Sequence, residues 1–219
     1  LWRKILFAYY FDDKNIFLTT KTNKKSKILF RRNLIKRIKT VTPFLHLDRD
    51  PYLAVTSKRL YWIQDAYTVS SLFPYAKSTY IENEEINYIR NSIKIVMDAY
   101  SGKIEYYLCD AKDPISRALG RIYPTVFKSF DEFPDELKSH LRYPQDGFEI
   151  QMKIYAKYHQ TNPDVFYQGE DLWEFAPTGM KKDNHKIAKS YYAMVDLVEP
   201  GRLDFILMLP MISKQRQNL

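Results

Sequence analysis

Cysteine is almost missing from this chain. Cys109 is the single one among 219 residues, which excludes an internal disulfide and a cysteine-based zinc site. It lies in an apolar, strand-like stretch, where a free thiol behaves as a small hydrophobe. Glycine is scarce as well, at six residues, and none of them forms a Gly-rich phosphate loop, which argues against nucleotide chemistry of that kind. No apolar run approaches the ~20 residues that a membrane helix needs, and no leader-like segment is present. The chain starts on Leu1-Trp2 rather than Met and stops on Asn218-Leu219 just after a strand-like run. The expectation is therefore a piece cut from a longer protein, in which a missing leader carries no weight. Catalytic spacings are missing too: there is no Gly-x-Ser-x-Gly elbow and no His-Glu-x-x-His pair.

Aromatic residues are abundant. They make up 16% of the chain and include 18 Tyr. Tyrosine can bury its ring while its hydroxyl finds a partner, so these side chains are expected to line a sheet or its rim; the other reading is an aromatic platform for sugars or peptides. With 45% hydrophobic and 27% charged residues, the chain can bury a sizeable core in one large domain or two small ones.

Charge is unevenly placed. The net charge is +8, and residues 21–39 hold nine Lys/Arg and no acid, whereas the remainder carries 25 basic and 26 acidic residues. Residues 28–45 are expected to form an amphipathic helix, with Phe30, Leu34, Ile38, Val41 and Leu45 on one stripe. Pro43 pushes Thr42 away from helical dihedrals and limits the last turn. The plain reading of the basic face is a solvated surface. The functional reading is a surface drawn to anionic headgroups or acidic polymers through Lys24, Lys25, Arg31, Arg32, Lys36 and Arg37, at ~1 kcal/mol for each basic residue near such a surface. No helix-turn-helix spacing, zinc-finger pattern or aromatic RNA-binding signature accompanies it, so no nucleic-acid partner is expected.

Two aromatic-rich segments share a signature. Tyr61-Trp62-Ile63-Gln64-Asp65-Ala66-Tyr67-Thr68 and Ile95-Val96-Met97-Asp98-Ala99-Tyr100-Ser101 each bring a strand-like run to Asp-Ala-Tyr-hydroxyl, 33 residues apart. Tyr52-Leu53-Ala54-Val55 and residues 59–66 read as a hairpin around Thr56-Ser57-Lys58. Residues 92–100 and 103–110 form a second, around Ser101-Gly102, where glycine supplies the positive φ of the turn. Residues 191–198 and 203–209 form a third, around Glu199-Pro200-Gly201. Helices are expected over residues 1–11, 115–127 up to Pro124, 131–141 and 145–159. The last of these is apolar around most of its circumference, as though wrapped on several sides. The long connection 68–85 is a candidate lid or binding loop, and residues 212–219 are expected to be poorly ordered. These elements imply an α+β fold: an antiparallel sheet built from three hairpins, with helices packed mainly on one face. An N-terminal helical segment, 1–45, would join an α+β core, 46–219, in one compact unit.

Sites are harder to choose. Asp65 and Asp98 form a tempting pair, but each is expected to end a strand and accept backbone hydrogen bonds in a turn. His46 and Asp48 lack a nearby third ligand. Glu82, Glu84 and Glu85 lack the spaced oxygens of a calcium loop, so no metal or cofactor is expected. His159, at a helix end, reads as a hydrogen-bonded structural histidine. Candidate binding residues are Tyr67, Tyr75, Arg90, Tyr158, His159, Glu170, Asp171 and Trp173.

Several longer strings are distinctive: Asp48-Arg49-Asp50-Pro51-Tyr52-Leu53, the segment 61–68, Asn87-Tyr88-Ile89-Arg90-Asn91-Ser92-Ile93-Lys94, Tyr155-Ala156-Lys157-Tyr158-His159, Phe166-Tyr167 with Glu170-Asp171-Leu172-Trp173-Glu174, and Phe205-Ile206-Leu207-Met208-Leu209-Pro210. Taken in order over most of the chain, they resemble the bacterial membrane-protein family UPF0182. The resemblance implies transmembrane helices upstream of this chain and a multi-pass parent in the cell membrane, with this portion extracytoplasmic. It brings no catalytic residues with it. Asn162 stands where the family pattern often has Asp before Pro. The short hairpin 96–104 also looks like the strand-turn-strand of small PepSY-type exported modules. The expected function is a non-catalytic binding, interaction or structural module at the cell envelope, with its own transmembrane helices, anionic lipid or an envelope polymer as partners. The alternative is an envelope hydrolase or transferase using Asp/Glu and His159.

Overall fold

The computed structural model describes residues 2–23, 25–26, 28, 30–81, 83–178, 186–197 and 201–214. Lys24, Glu82, residues 180–185, the turn at Glu199-Pro200 and the tail 215–219 lie outside the described residues. The chain divides into two compact units, Leu1–Arg37 and Ile38–Leu219.

The first unit holds α1 (Trp2–Phe11) and α2 (Lys14–Leu18). Asp12 takes a positive φ of 52° between them, and the Asp13 side chain caps α2 by accepting from Asn15 N. Lys4 Nζ reaches Thr19 O at 2.8 Å. Phe7, Tyr10 and Phe11 gather around the Phe30 ring, with centroids 5.6, 6.0 and 6.2 Å away. Neither helix buries a residue, and Trp2, Leu6, Tyr9, Phe17 and Leu18 are exposed.

The expected 28–45 helix is shorter in the structure: α3 spans Leu34–Val41. Asn33 sets its start, because Asn33 Oδ1 accepts from Lys36 N at 2.9 Å and so satisfies an orphan donor of the first turn. Arg31 has a φ of 51°, which breaks helical geometry just upstream. Phe30 is thus not on the α3 stripe, and Lys25, Arg31 and Arg32 precede the helix. The division between the two units falls within α3.

The second unit is built on one sheet. Its first eight strands are β1 (His46–Leu47), β2 (Tyr52–Val55), β3 (Leu60–Ser70), β4 (Thr79–Ile81), β5 (Glu84–Ile86), β6 (Tyr88–Asp98), β7 (Ile104–Leu108) and β8 (Phe127–Ser129). Six of them form the order β1-β3-β6-β7-β8, with β2 also on β3; β4 and β5 form their own small hairpin. β1 and β2 lie on the same edge of β3, pairing with Tyr67-Ala66 and with residues 60–63. The residues between them, Asp48-Arg49-Asp50-Pro51, interrupt that edge. All pairs in the sheet are antiparallel except β7 with β8. Between Ala66↔Ile93 and Thr68↔Arg90, β3 advances two residues while β6 advances three, so β6 carries a bulge at Asn91-Ser92.

Alternation separates the two faces. On one, Tyr52, Ala54, Ile63, Val96 and Tyr107 pack with Phe133 and Leu137. Those last two come from the 3₁₀ turn and helix after α4 (Pro114–Ile122): Phe130–Glu132 and α5 (Asp135–Lys138), with Phe133 between them. The same face receives α6 (Gln145–Tyr158), whose Ile150 meets Tyr67, Ile81 and Ile86. The other face carries Ile93, Ile95, Tyr106 and Leu108 and takes α4. A Cβ on Gly120 would sit 2.7 Å from Leu108 Cδ1, so the missing side chain lets α4 lie this close to β7. The fold is α+β, but its helices lie on both faces of the sheet rather than mainly on one: α5 and α6 cover the first face, and α4, with Thr42 at the end of α3 bonded to Tyr106, the second.

All three expected hairpins form. The first two, β2-β3 and β6-β7, share the sheet; Gly102 has the positive φ of its turn, at 68°. After α7 (Pro163–Gln168), capped by Asn162, the chain makes short ribbons. β9 (Trp173–Phe175) pairs with β14 (Met211–Ser213), and β10 (Pro177–Thr178) pairs with β11 (Lys186–Ile187). The third hairpin, β12 (Tyr191–Val195) with β13 (Asp204–Met208), is a separate two-stranded ribbon. The guanidinium of Arg142 ties it to the sheet, lying 4.5 Å from the Tyr52 ring, 5.5 Å from Tyr192 and 5.1 Å from Phe205.

Candidate functional site

The interruption between β1 and β2 is where α6 docks. Asp48 is buried. Its Oδ2 accepts from Tyr67 Oη at 2.5 Å and from Asp146 N at 2.9 Å, and its Oδ1 accepts from Asp50 N at 3.0 Å. Gly147 N donates to Tyr67 Oη at 2.8 Å. A carboxylate and a phenol thus meet free N–H groups in the first turn of α6, where negative charge is favoured. Arg49 completes the joint. Its N–H donates to Asp146 Oδ2 at 2.9 Å, and its guanidinium pairs with Glu149 and reaches Gln145 Oε1 and Ser190 Oγ. Burial pushes the Glu149 carboxyl up, but Arg49 and Ser190 outweigh it and leave it below its usual value. Burial raises the Tyr67 phenol, and the Asp48 charge adds to that.

Beside this joint, Asp65 and Lys94 form a buried ion pair across β3 and β6. Asn91 Nδ2 donates to Asp65 Oδ1 at 3.0 Å. Burial raises the Asp65 carboxyl, while Lys94 and Asn91 oppose the shift. Lys94 and Asn91 help to line a pocket of about 360 Å³, walled by Ile89, Ile150, Ile154, Arg142 and Tyr143. Asp65 is therefore not at a strand end, as expected, but inside an 11-residue strand. It does not hold a turn because its cross-strand neighbour is a lysine.

The other carboxylates with several contacts are also held by donors. Asp98 does hold its turn: Oδ1 accepts from Ser101 N at 2.6 Å and Tyr100 N at 2.9 Å, and Arg59 pairs with Oδ2 at 2.7 Å. The Ser101 amide, followed by Arg59, lowers its carboxyl to about 2. Asp113 caps α4 through Ile115 N and Ser116 N and also accepts from Thr68, Ser92 and Tyr88. Among the described residues no three His, Cys, Asp or Glu side chains are grouped to hold a metal ion.

Of the residues expected to bind, four meet at the end of α6. The His159 ring lies 4.5 Å from the Trp173 ring, and Tyr158 packs on Phe166 at 5.4 Å. Gln160 Nε2 bridges His159 Nε2, at 3.1 Å, and Asp171 Oδ2, at 3.5 Å. Ser213 Oγ donates to Asp171 Oδ1. Glu170 is exposed next to them. The other three lie elsewhere. Tyr67 is 1% exposed, with its hydroxyl engaged by Asp48 and Gly147. Tyr75 is fully exposed on the segment 71–78, which is all that remains of the long connection once β3 and the β4-β5 hairpin are formed. Arg90 pairs with Asp110 at 2.7 Å.

α6 is not wrapped as its composition suggests. Only Ile150 and Ala156 are buried, whereas Ile154, Tyr155 and Tyr158 are 52, 51 and 56% exposed. Its first turns are fixed by the joint at Asp48; its last turns meet the short β9 ribbon and α7 on one side. Sequence reasoning missed Lys94, Asn91 and Arg142. A lone lysine inside Ile93-Lys94-Ile95-Val96 was the available signal, since a charge in an apolar strand needs a partner.

Among the described residues no helix is long and apolar enough to cross a membrane. The profile of the "Uncharacterised protein family (UPF0182)" matches residues 1–219. A UPF0182 protein of Syntrophobacter fumaroxidans is 58% identical over 217 residues, covering 99% of this chain and 25% of the relative. One of Nitrosococcus oceani is 51% identical, covering 100% and 26%; one of Bradyrhizobium diazoefficiens is 44% identical, covering 100% and 23%. The chain thus spans about a quarter of the length of these relatives. No solved structure matches. With its full length matched, the chain belongs to the UPF0182 family.

Proposed function

We propose that this chain is an extracytoplasmic portion of a bacterial integral membrane protein and acts there as a non-catalytic binding or structural module of the cell envelope. The observation that carries the non-catalytic part is the state of its carboxylates. Asp48, Asp65, Asp98 and Asp113, the carboxylates with the most contacts in the sheet, are each occupied by structural donors, which ties these four to the fold rather than to acid–base work. Its partners are the transmembrane helices of the same protein, together with anionic lipid or an acidic envelope polymer. The size of the relatives supports the first, since three quarters of their length lies outside the matched region. The nine basic residues at 21–39 support the second.

Topology can be tested with one substitution. Tyr75→Cys places a thiol on a fully exposed loop, whereas burial pushes the native Cys109 thiol up to about 11 and keeps it protonated and slow to react near neutrality. In cells producing the full-length protein, a membrane-impermeant maleimide is expected to label the Tyr75→Cys protein without lysis. Labelling only after the cytoplasmic membrane is opened would reverse the assignment.

A further inference from the structure

The exposed side of α6 forms one wall of a groove that the carboxylate network does not use. Lys153 and Lys157 stand one helical turn apart, so they project from the same side. Opposite them, Lys77, Ser78 and Thr79 come from the segment entering β4. Ile154 and Tyr158 supply the apolar part, and the groove encloses about 420 Å³. Among the described residues, no carboxylate pairs with Lys77 or Lys153, and Lys157 lies over the Phe166 ring at 5.5 Å. Glu84, on the hairpin that begins at Thr79, is taken by His46 at 3.1 Å.

Three lysines around one concave surface repel one another, and neither Lys77 nor Lys153 is offset by an acid. Such an arrangement is complementary to a ligand that brings its own negative charge. The remaining chemistry narrows the class. Two hydroxyls, Ser78 and Thr79, can exchange hydrogen bonds with a hydroxylated ligand. Tyr158 offers a half-exposed ring beside the aliphatic Ile154, a surface that suits the apolar face of a sugar ring better than a bare inorganic anion. We infer that this groove binds a carboxylate-bearing sugar polymer, the lysines meeting the carboxylates and Tyr158 a sugar face. This rests on the binding-module reading and names the ligand class of that module; none of the groove residues belongs to the basic segment 21–39.

The test uses the purified 219-residue chain with three polymer probes: polygalacturonate, neutral dextran and polyphosphate. Polygalacturonate is expected to bind more tightly than polyphosphate, with affinity falling as salt rises, and dextran not to bind. Lys153→Glu with Lys157→Glu should weaken polygalacturonate binding at least tenfold, and Tyr158→Ala several-fold; because Lys157 and Tyr158 also touch Phe166, Lys153→Glu alone, at an exposed position, should weaken binding several-fold with thermal melting unchanged. Arg31→Glu with Arg32→Glu should leave it unchanged. Four results would overturn the inference: no polygalacturonate binding, indifference to the lysine reversals, dependence on Arg31 and Arg32 instead, or polyphosphate bound as tightly as polygalacturonate. Because these measurements use the isolated chain, they are independent of the Tyr75→Cys labelling: a cytoplasmic result there with intact polymer binding would overturn the location alone.

Discussion

At the scale of single residues, the Asp65–Lys94 pair is the contact most sensitive to change. Both side chains are almost fully buried. Taking two charges out of water costs nearly as much as their attraction returns, so the pair adds little net stability while intact. Removing one partner strands the other. Lys94→Met is expected to cost about 3–5 kcal/mol, as an uncompensated buried carboxylate does. The double variant Lys94→Met with Asp65→Asn should recover most of that loss. Urea titrations of the three proteins measure the coupling. If the double variant is no more stable than Lys94→Met, the charge pair is not the source of the effect. Asp98 is a contrasting case: its carboxylate lies at a turn and is held by backbone amides and one arginine.

At the scale of elements, α6 depends on a joint made by residues far from it in sequence. Asp48 accepts from Tyr67 Oη, Asp146 N and Asp50 N. Asp48→Asn turns one acceptor oxygen into a donor facing donors, and removes a charge from a helix N-terminus. A loss of about 1–3 kcal/mol is expected, the cost of leaving a buried donor unsatisfied. Thermal melting checks it, and an unchanged midpoint would mean that Arg49 alone holds the helix. The same joint shows what could be read without a structure. The hairpins were legible because alternation and Gly102 are local signals. The start of α3 was misplaced because the apolar stripe runs on through Phe30, while the local stop at Arg31 and the cap at Asn33 weigh more. The role of Asp65 was hidden because Lys94 meets it only through the register of β3 on β6. The groove residues Lys77 and Lys153 were hidden for a similar reason: they sit on separate elements that tertiary packing alone brings together. The exposure of α6 was misjudged because composition shows which side chains are apolar, not whether anything covers them.

At the scale of the whole molecule, the separation of charge matters most. The basic excess is confined to 21–39. The unit Leu1–Arg37, which holds eight of these nine basic residues, also exposes Trp2, Leu6, Tyr9, Phe17 and Leu18. Aromatic and aliphatic side chains beside Lys and Arg suit the boundary between headgroups and acyl chains. The chain is expected to co-sediment with phosphatidylglycerol vesicles and to be released as salt rises past the point where the Debye length falls below about 8 Å. Arg31→Glu with Arg32→Glu should weaken this binding. Equal binding to phosphatidylcholine vesicles, or indifference to salt, would sink the idea.

The extra residue of β6 at Asn91-Ser92 works as a phase shift. On either side of it the strand is out of step by one, which is how adjacent residues serve different carboxylates: Asn91 bonds Asp65 and Ser92 bonds Asp113. Losing a single residue there would bring the strand back into step and turn Tyr88, Ile89 and Arg90 to the opposite side of the sheet. Tyr88 would then leave Asp113, and Arg90 would leave Asp110. A substitution in this stretch removes one contact at a time, whereas a change of length between Arg90 and Lys94 alters every contact upstream in the strand at once.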